Sequence, residues 1–146
     1  MPLDNFSCVY RVGGASLFRG SQPYTLDDYH TLRAVGVDVL YKLSNDLEFL
    51  ASREEELAAQ FGMAVRNIGL PQLQLSQLVH AESDALVSLI QRDLQSGISV
   101  YVHCILGVDR TGFVIGAFQQ LVPTYDARGT AWGREGDAAP SRGSLG

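Results

Sequence analysis

The chain has 146 residues, of which 46% are hydrophobic, and this is enough for one compact domain with one active site. Its 11 Lys and Arg residues against 16 Asp and Glu residues give a formal net charge of −5 without a long run of like charges, which argues against a nucleic-acid partner. There is no basic leader, and no apolar run approaches the ~20 residues of a membrane span. We therefore expect a soluble, cytoplasmic protein, and the distant cysteines Cys8 and Cys104 suit a reducing compartment.

The first part of the chain predicts a β-hairpin followed by a helix. Residues 9–12 and 15–19 are short extended segments on either side of a Gly-Gly turn. Thr25, followed by two aspartates, is a helix start, and the helical pattern ends near Gly36.

The remainder alternates strands with helices. Strands are predicted over 37–43, 64–70 and 98–103, and the last is apolar enough for a central position in the sheet. Helices are predicted from the acidic run at Glu54, from Leu78 to Gly97, and over 111–121. This alternation predicts an α/β fold with a mainly parallel central sheet flanked by helices.

The composition changes near the C-terminus. We expect a single domain over residues 1–123, whereas residues 124–146 are rich in Gly, Arg, Ala and Ser and read as a tail that is disordered or loosely docked.

Residues 103–112, HCILGVDRTG, connect the last predicted strand to the last helix. Ligands of open α/β sheets bind at the carboxyl ends of the strands, and the amides at a helix start form a ready anion site. Arg110 adds a planar fork that can hold two phosphate oxygens. Beside such a site Cys104 is expected to have a depressed pKa and to act as a thiolate nucleophile toward phosphorus. Thr111 can hydrogen-bond the sulfur. Gly107 permits a left-handed or crowded backbone at the centre of the loop, and Gly112 allows close approach at the helix start.

This pattern, His-Cys, five residues, then Arg-Thr-Gly, resembles the signature of the cysteine-dependent protein tyrosine phosphatase superfamily, in its dual-specificity-like branch. The resemblance implies that Cys104 accepts the phosphoryl group, Arg110 binds the phosphate and Thr111 assists hydrolysis of the intermediate. It implies that His103 tunes the cysteine and is not a base. The phosphate-binding backbone would come from the loop residues, Ile105, Leu106, Gly107, Val108, Asp109 and Arg110. The segment 17–23, LFRGSQP, is also similar to the opening of many bacterial and fungal members.

The general acid of that family does not match. The family supplies an Asp about thirty residues before the cysteine, but no carboxylate lies between Asn67 and Glu82 here. Asp109, inside a Gly-x-Asp-Arg-Thr loop like that of some bacterial lipid and tyrosine phosphatases and of myotubularins, is our candidate acid. Its alternative role is a structural carboxylate that pairs with Arg110 or caps the helix. Asp46, after an earlier strand, is the alternative acid.

The resemblance implies a phosphomonoester hydrolase acting on phosphoprotein through a cysteinyl-phosphate, with no cofactor and no metal. The apolar loop positions Ile105, Leu106 and Val108 favour a singly phosphorylated substrate, with phosphotyrosine or dual specificity first and inositol phosphates, phosphoinositides or small phosphoesters open. Two further alternatives remain. The first is a catalytically weak module that binds phosphate or phosphoprotein, and the second, less favoured, is a rhodanese-like sulfur transferase. The protein is expected to be a monomer or a weak dimer.

Overall fold

The computed structural model describes residues 3–44, 48–68, 80–104 and 109–122. In chain order its elements are β1 (Ser7–Val12), β2 (Ala15–Gly20), α1 (Leu26–Ala34), β3 (Val39–Lys42), α2 (Glu48–Gln60), β4 (Ala64–Asn67), α3 (His80–Gln95), β5 (Val100–His103) and α4 (Asp109–Leu121). The strands form one sheet in the order β1-β2-β5-β3-β4, in which β1 is antiparallel to β2 and all other neighbours are parallel. The predicted α/β fold with a mainly parallel sheet is confirmed.

Several predicted elements have different limits in the structure. The strands β3 and β4 each contain four residues and are shorter than predicted. Helix α2 begins at Glu48, six residues before the predicted start at Glu54. We predicted that the acidic run at Glu54 begins the helix, but Glu54 lies in mid-helix and its side chain is buried. The prediction was wrong because this carboxylate is paired inside the protein and does not mark a terminus.

Helix α1 starts where the sequence predicts, through a reciprocal pair of hydrogen bonds. The hydroxyl of Thr25 accepts from the amide of Asp28 at 3.1 Å, and the Asp28 carboxylate accepts from the Thr25 amide at 3.1 Å. The same carboxylate accepts from the Tyr24 amide at 2.8 Å. This capping box satisfies amides that have no partner within the helix. It therefore fixes the chain between β2 and α1.

The sheet is covered on both faces, because alternate residues of its strands point to opposite sides. One core contains side chains of α3 and α4 packed on the sheet, and it includes Val100, Val102 and Cys104 from the region of β5. The other contains side chains of α1 and α2, and it includes Tyr101. The residues of β5 are all buried, as expected for a central strand with helices on each side.

The amino-terminal edge of the sheet is held by hydrogen bonds around Ser99. Its carbonyl accepts from the amides of Asp38 and Val39, and its own amide donates to the Asp38 carboxylate at 2.9 Å. Its hydroxyl accepts from the amide of Ser16 at 3.0 Å. The strands β2, β3 and β5 are thereby held in one register at the edge opposite the predicted site.

Several predictions fall outside the described residues. These are the end of the strand predicted over 64–70, the start of the helix predicted at Leu78, and the tail 124–146 with its boundary at 123. Within the described ranges, no helix is long and apolar enough to cross a membrane.

Candidate active site

The central strand β5 delivers the candidate nucleophile to the carboxyl edge of the sheet. Its last residue, His103, is in register with Gly20 of β2 on one side and with Lys42 of β3 on the other. Its carbonyl accepts from the amide of Leu43 at 2.8 Å, which extends the pairing past the strand end. Cys104 follows directly, so its backbone leaves the sheet from a strand that is hydrogen-bonded on both sides.

Cys104 and Thr111 are in direct contact. The Oγ1 of Thr111, in the first turn of α4, donates a hydrogen bond to the Sγ of Cys104 at 3.1 Å. The cysteine is 3% exposed and the threonine is completely buried. A hydrogen bond donated to sulfur stabilises the thiolate over the thiol, and it also stabilises sulfur as a leaving group. The contact that the sequence pattern predicts for these two residues is therefore present.

Helix α4 begins at Asp109, two residues before the predicted start, so Arg110 belongs to its first turn. The Arg110 side chain is buried. A guanidinium at a helix start adds its charge to the positive end of the helix dipole, and this combination favours an anion. The structure thus places Cys104, Arg110 and Thr111 together at one helix N-terminus.

The other predicted site residues are described in part or lie outside the described residues. The loop residues Ile105, Leu106, Gly107 and Val108 lie outside, as do the alternative acid Asp46 and the side chain of Asp109. Gly112 lies in α4, where an added Cβ would meet the Nη2 of Arg19 at 3.8 Å, an ordinary van der Waals distance. The predicted need for close approach at Gly112 therefore finds no support among the described atoms.

His103 is held by a glutamate that our sequence analysis did not place in the site. The Nε2 of His103 lies 2.7 Å from the Oε2 of Glu54, and both side chains are buried. The imidazole also stacks on the ring of Tyr101, with 5.6 Å between ring centroids. Burial by itself would raise the pKa of Glu54. The interaction with His103, together with smaller contributions from Gln22 and Lys42, outweighs burial, so the net effect is a lowered pKa of Glu54.

The glutamate belongs to a longer buried network. Its Oε1 accepts from the Nε2 of Gln22 at 2.7 Å, and the Oε1 of Gln22 accepts from the Nζ of Lys42 at 3.3 Å. Lys42 also donates to the hydroxyl of Ser44 at 2.7 Å. The network links β3, the segment after β2, α2 and β5 on the α1 and α2 face of the sheet. It ends at His103, the residue that precedes the candidate nucleophile.

Tyr101 joins the same region to the segment after β2. Its hydroxyl donates to the carbonyl of Ser21 at 2.6 Å. To reach it, the ring passes over Gly20, where an added Cβ would lie 2.3 Å from the Tyr101 hydroxyl and 3.0 Å from two ring carbons. Gly20 is therefore needed for close approach and not for its backbone angle. Burial, followed by the nearby carboxylates of Asp28 and Glu54, raises the pKa of Tyr101 far above its ordinary value.

A signal for this network was present in the sequence. Lys42 interrupts a run of residues that otherwise predicts a buried strand, and a buried lysine requires a buried acceptor or counter-charge. The partner could not be identified without the fold, because Gln22 and Glu54 come from distant segments. Among the described residues, no group of three or more His, Cys, Asp or Glu side chains is arranged to hold a metal ion.

Residues 13–122 match the family described as "Polymorphic toxin system, DSP-PTPase phosphatase" (Tc-R-P). The chain belongs to this family. The resemblance to the dual-specificity-like branch, inferred from the sequence alone, is confirmed. A comparison with curated proteins finds no significant match.

Solved structures share the fold at low sequence identity. TpbA of P. aeruginosa is 18% identical, with a TM-score of 0.62 over 78% of this chain and 63% of its own. A Cys-to-Ser variant of TpbA in complex with pTyr is 18% identical, with a TM-score of 0.55 over 70% of this chain and 56% of its own. A DUF442 protein from Shewanella putrefaciens CN-32 is 18% identical, with a TM-score of 0.57 over 77% of this chain and 66% of its own. The chain thus spans less than two thirds of the length of the TpbA structures.

Proposed function

We propose that the chain is a cysteine-dependent phosphomonoester hydrolase that acts on phosphoprotein through a cysteinyl-phosphate intermediate. The observation that carries the proposal is the 3.1 Å hydrogen bond from Thr111 to Cys104, with Arg110 buried in the same helical turn. Membership of a family of DSP-PTPase phosphatases supports it.

The first chemical step is in-line attack of the Cys104 thiolate on phosphorus. The S–P bond forms as the P–O bond to the leaving group breaks, and Arg110 with the amides at the helix start holds the equatorial oxygens. In the second step water attacks phosphorus, the S–P bond breaks and the thiolate is released. The Thr111 hydroxyl donates to the sulfur as its negative charge returns.

Proton transfer is assigned to Asp109. Its carboxyl group would protonate the leaving oxygen in the first step and accept a proton from water in the second. The support is its place as the first residue of α4, directly before Arg110. Asp46 is the alternative acid. Both assignments are open to the same test, because an acid matters most when the leaving group is a poor one.

Phosphotyrosine in protein is the proposed substrate, with dual specificity as the broader form. The TpbA variant was solved with pTyr, and the apolar loop positions of the present chain favour one phosphate over several. Inositol phosphates and phosphoinositides are the alternative substrates. A thiolate nucleophile works in a reducing compartment, and we place the activity in a cytoplasm.

The test is hydrolysis of para-nitrophenyl phosphate with reductant and EDTA, repeated on an aryl phosphate with a poorer leaving group. We expect the wild type to hydrolyse both esters and Cys104→Ser to hydrolyse neither. Asp109→Asn should lose activity mainly on the poorer leaving group, and Asp46→Asn tests the alternative acid on the same two esters. Loss confined to Asp46→Asn would reassign the acid.

A phosphate-binding module is the competing function, and the same samples decide between the two. A wild-type protein that binds vanadate yet hydrolyses neither ester would overturn the catalytic proposal. Initial rates on a phosphotyrosine peptide, a phosphoserine peptide and an inositol phosphate then rank the substrates. A preference for the inositol phosphate would contradict the proposed substrate class.

A further inference from the structure

We infer that Lys42 is a positioning residue for Cys104, which acts through Gln22, Glu54 and His103 to favour the thiolate. The inference rests on the proposed role of Cys104 as nucleophile. It concerns a residue that neither the loop pattern nor the family description assigns.

The first argument is the burial of a lysine in the sheet. Lys42 is 2% exposed at the end of β3, one hydrogen-bonded strand away from the end of β5. Removing an ammonium group from water is strongly unfavourable unless polar partners surround it. Hydrophobic residues occupy the preceding positions of the strand, Val39, Leu40 and Tyr41. A buried ammonium group at the end of β3 therefore indicates a specific role for Lys42.

The second argument is that Lys42 and Glu54 lie at opposite ends of the same glutamine amide. An ammonium group only donates hydrogen bonds, so the atom of Gln22 that faces Lys42 must be the amide oxygen. The amide nitrogen of Gln22 then faces Glu54 and donates to its Oε1. The carboxylate only accepts hydrogen bonds and so requires the same orientation of the amide. The ammonium of Lys42 and the carboxylate of Glu54 therefore hold Gln22 between them in one orientation, and Lys42 contributes the acceptor-facing half of that constraint.

The third argument is that the network reaches the candidate nucleophile. With one oxygen of Glu54 occupied by Gln22, the other is left for the Nε2 of His103 at 2.7 Å. Because the carboxylate accepts, Nε2 carries the hydrogen, and this fixes the orientation of the ring. Stacking on Tyr101 holds the same ring from the side. The next residue in the chain is Cys104.

The fourth argument is charge. Among the described residues, the ionisable side chains around this end of the sheet include Asp28 and Tyr29 from α1, Arg53 and Glu54 from α2, Lys42 from β3, Tyr101, His103 and Cys104 from β5 and its end, Arg19 from β2 and Arg110 from α4. The carboxylates of Asp28 and Glu54 disfavour a further negative charge nearby. Removing the ammonium of Lys42 leaves them with one cation fewer, and this disfavours a thiolate on Cys104.

The experiment measures the ionisation of Cys104 without turnover, as the rate of alkylation by iodoacetamide against pH. It is done in a Cys8→Ser background, so that one thiol reacts. Lys42→Met keeps most of the stem length without charge, and Lys42→Gln keeps a hydrogen-bond donor without charge. Thermal unfolding identifies which neutral variant is folded, and either one is sufficient. We expect the midpoint to move to higher pH by about half to one unit.

Two variants serve as controls. Lys42→Arg keeps the charge, and its midpoint should stay near that of the wild type. Arg66→Met removes a cation from β4 that pairs with Asp93 at 3.1 Å outside the network, and it should not move the midpoint. In the same variants the acid limb of kcat/KM for para-nitrophenyl phosphate should follow the alkylation midpoint while KM changes little.

A folded, neutral Lys42 variant with the wild-type midpoint would reduce Lys42 to a structural role and overturn the inference. An equal shift in Arg66→Met would also overturn it, because the effect would then be one of net charge. The outcome is separate from that of the proposed function. If the wild type proves to be inactive on every phosphoester, the alkylation midpoints still show whether Lys42 controls Cys104.

Discussion

At the residue scale, Gly20 shows how the site depends on a missing side chain. The Tyr101 ring crosses Gly20 to reach the carbonyl of Ser21, and a Cβ there would overlap the hydroxyl. Tyr101 is fully buried at the centre of the sheet and has little room to move. The segment after β2, which carries Gln22 into the buried network, is therefore held against β5 by a contact that only glycine permits.

We predict that Gly20→Ala lowers the free energy of unfolding by about 1–3 kcal/mol, because it overpacks a rigid site. Chemical denaturation measures this value. Gly14→Ala is the matched control, since nothing lies within 4 Å of a Cβ at that position. In a Tyr101→Phe background the cost should shrink, because the nearest clashing atom is gone. Equal costs for both glycines would contradict the steric explanation.

The candidate nucleophile could be predicted from sequence, whereas the network behind it could not. Cys104, Arg110 and Thr111 lie in one strand-loop-helix unit, so their spacing in the sequence determines their proximity in space. Lys42, Glu54 and His103 meet only through the pairing of β3 with β5 and the packing of α2 on the sheet. No local pattern encodes that pairing. Side-chain partners in a buried network depend on tertiary structure. The trace that this network leaves in the sequence is a lysine, Lys42, within a segment that otherwise predicts a buried strand.

At the scale of elements, the start of α1 links local sequence to the site. The capping box of Thr25 and Asp28 also binds the Tyr24 amide, so it fixes the end of the segment that begins at Gly20. Thr25 was predictable because capping is a local hydrogen-bond pattern. The start of α2 was not predictable, because an acidic run has the same composition whether it is solvated at a helix end or paired in the protein interior.

We predict that Asp28→Ala destabilises the protein by about 1 kcal/mol, because the amides of Tyr24 and Thr25 lose their acceptor. Asp27→Ala is the control, since Asp27 is exposed in the same turn and is not part of the box. Hydrogen exchange should show faster opening of α1 in Asp28→Ala, with α4 unaffected. Similar destabilisation by both substitutions would indicate a general dipole effect instead of a specific cap.

At the scale of the whole molecule, the buried Glu54 couples folding to pH. Its pKa is lower in the folded protein than its ordinary value of 4.5, so the unfolded chain binds more protons in the acid range. The associated stability is present above that ordinary value. It is lost as the pH falls through 4.5 and below, toward the lowered pKa of the folded state. Protonation would also remove the charged partner of His103 and weaken the network that precedes Cys104.

We therefore predict that the free energy of unfolding falls with decreasing pH below 4.5 and that Glu54→Gln flattens this dependence. The substitution should also lower stability at neutral pH, because the ammonium of Lys42 then lacks a nearby buried counter-charge and the Nε2 of His103 loses its carboxylate acceptor. Denaturation curves at a series of pH values give both quantities. Glu55→Gln, an exposed neighbour on α2, is the control and should keep the wild-type slope.

The position of β5 in the sheet has a consequence for the order in which the chain folds. The two pairs, β1 with β2 and β3 with β4, share no hydrogen-bonded edge until β5, the last strand among the described residues, enters between them. During synthesis, β5 is translated after the four strands that it joins. Its contacts with β2 and β3 are long-range in sequence, and such contacts form slowly. The strand that completes the sheet also carries Cys104. A nascent chain therefore does not have its candidate nucleophile in position until the sheet is complete, and the thiolate that we propose for Cys104 would report the final step of folding.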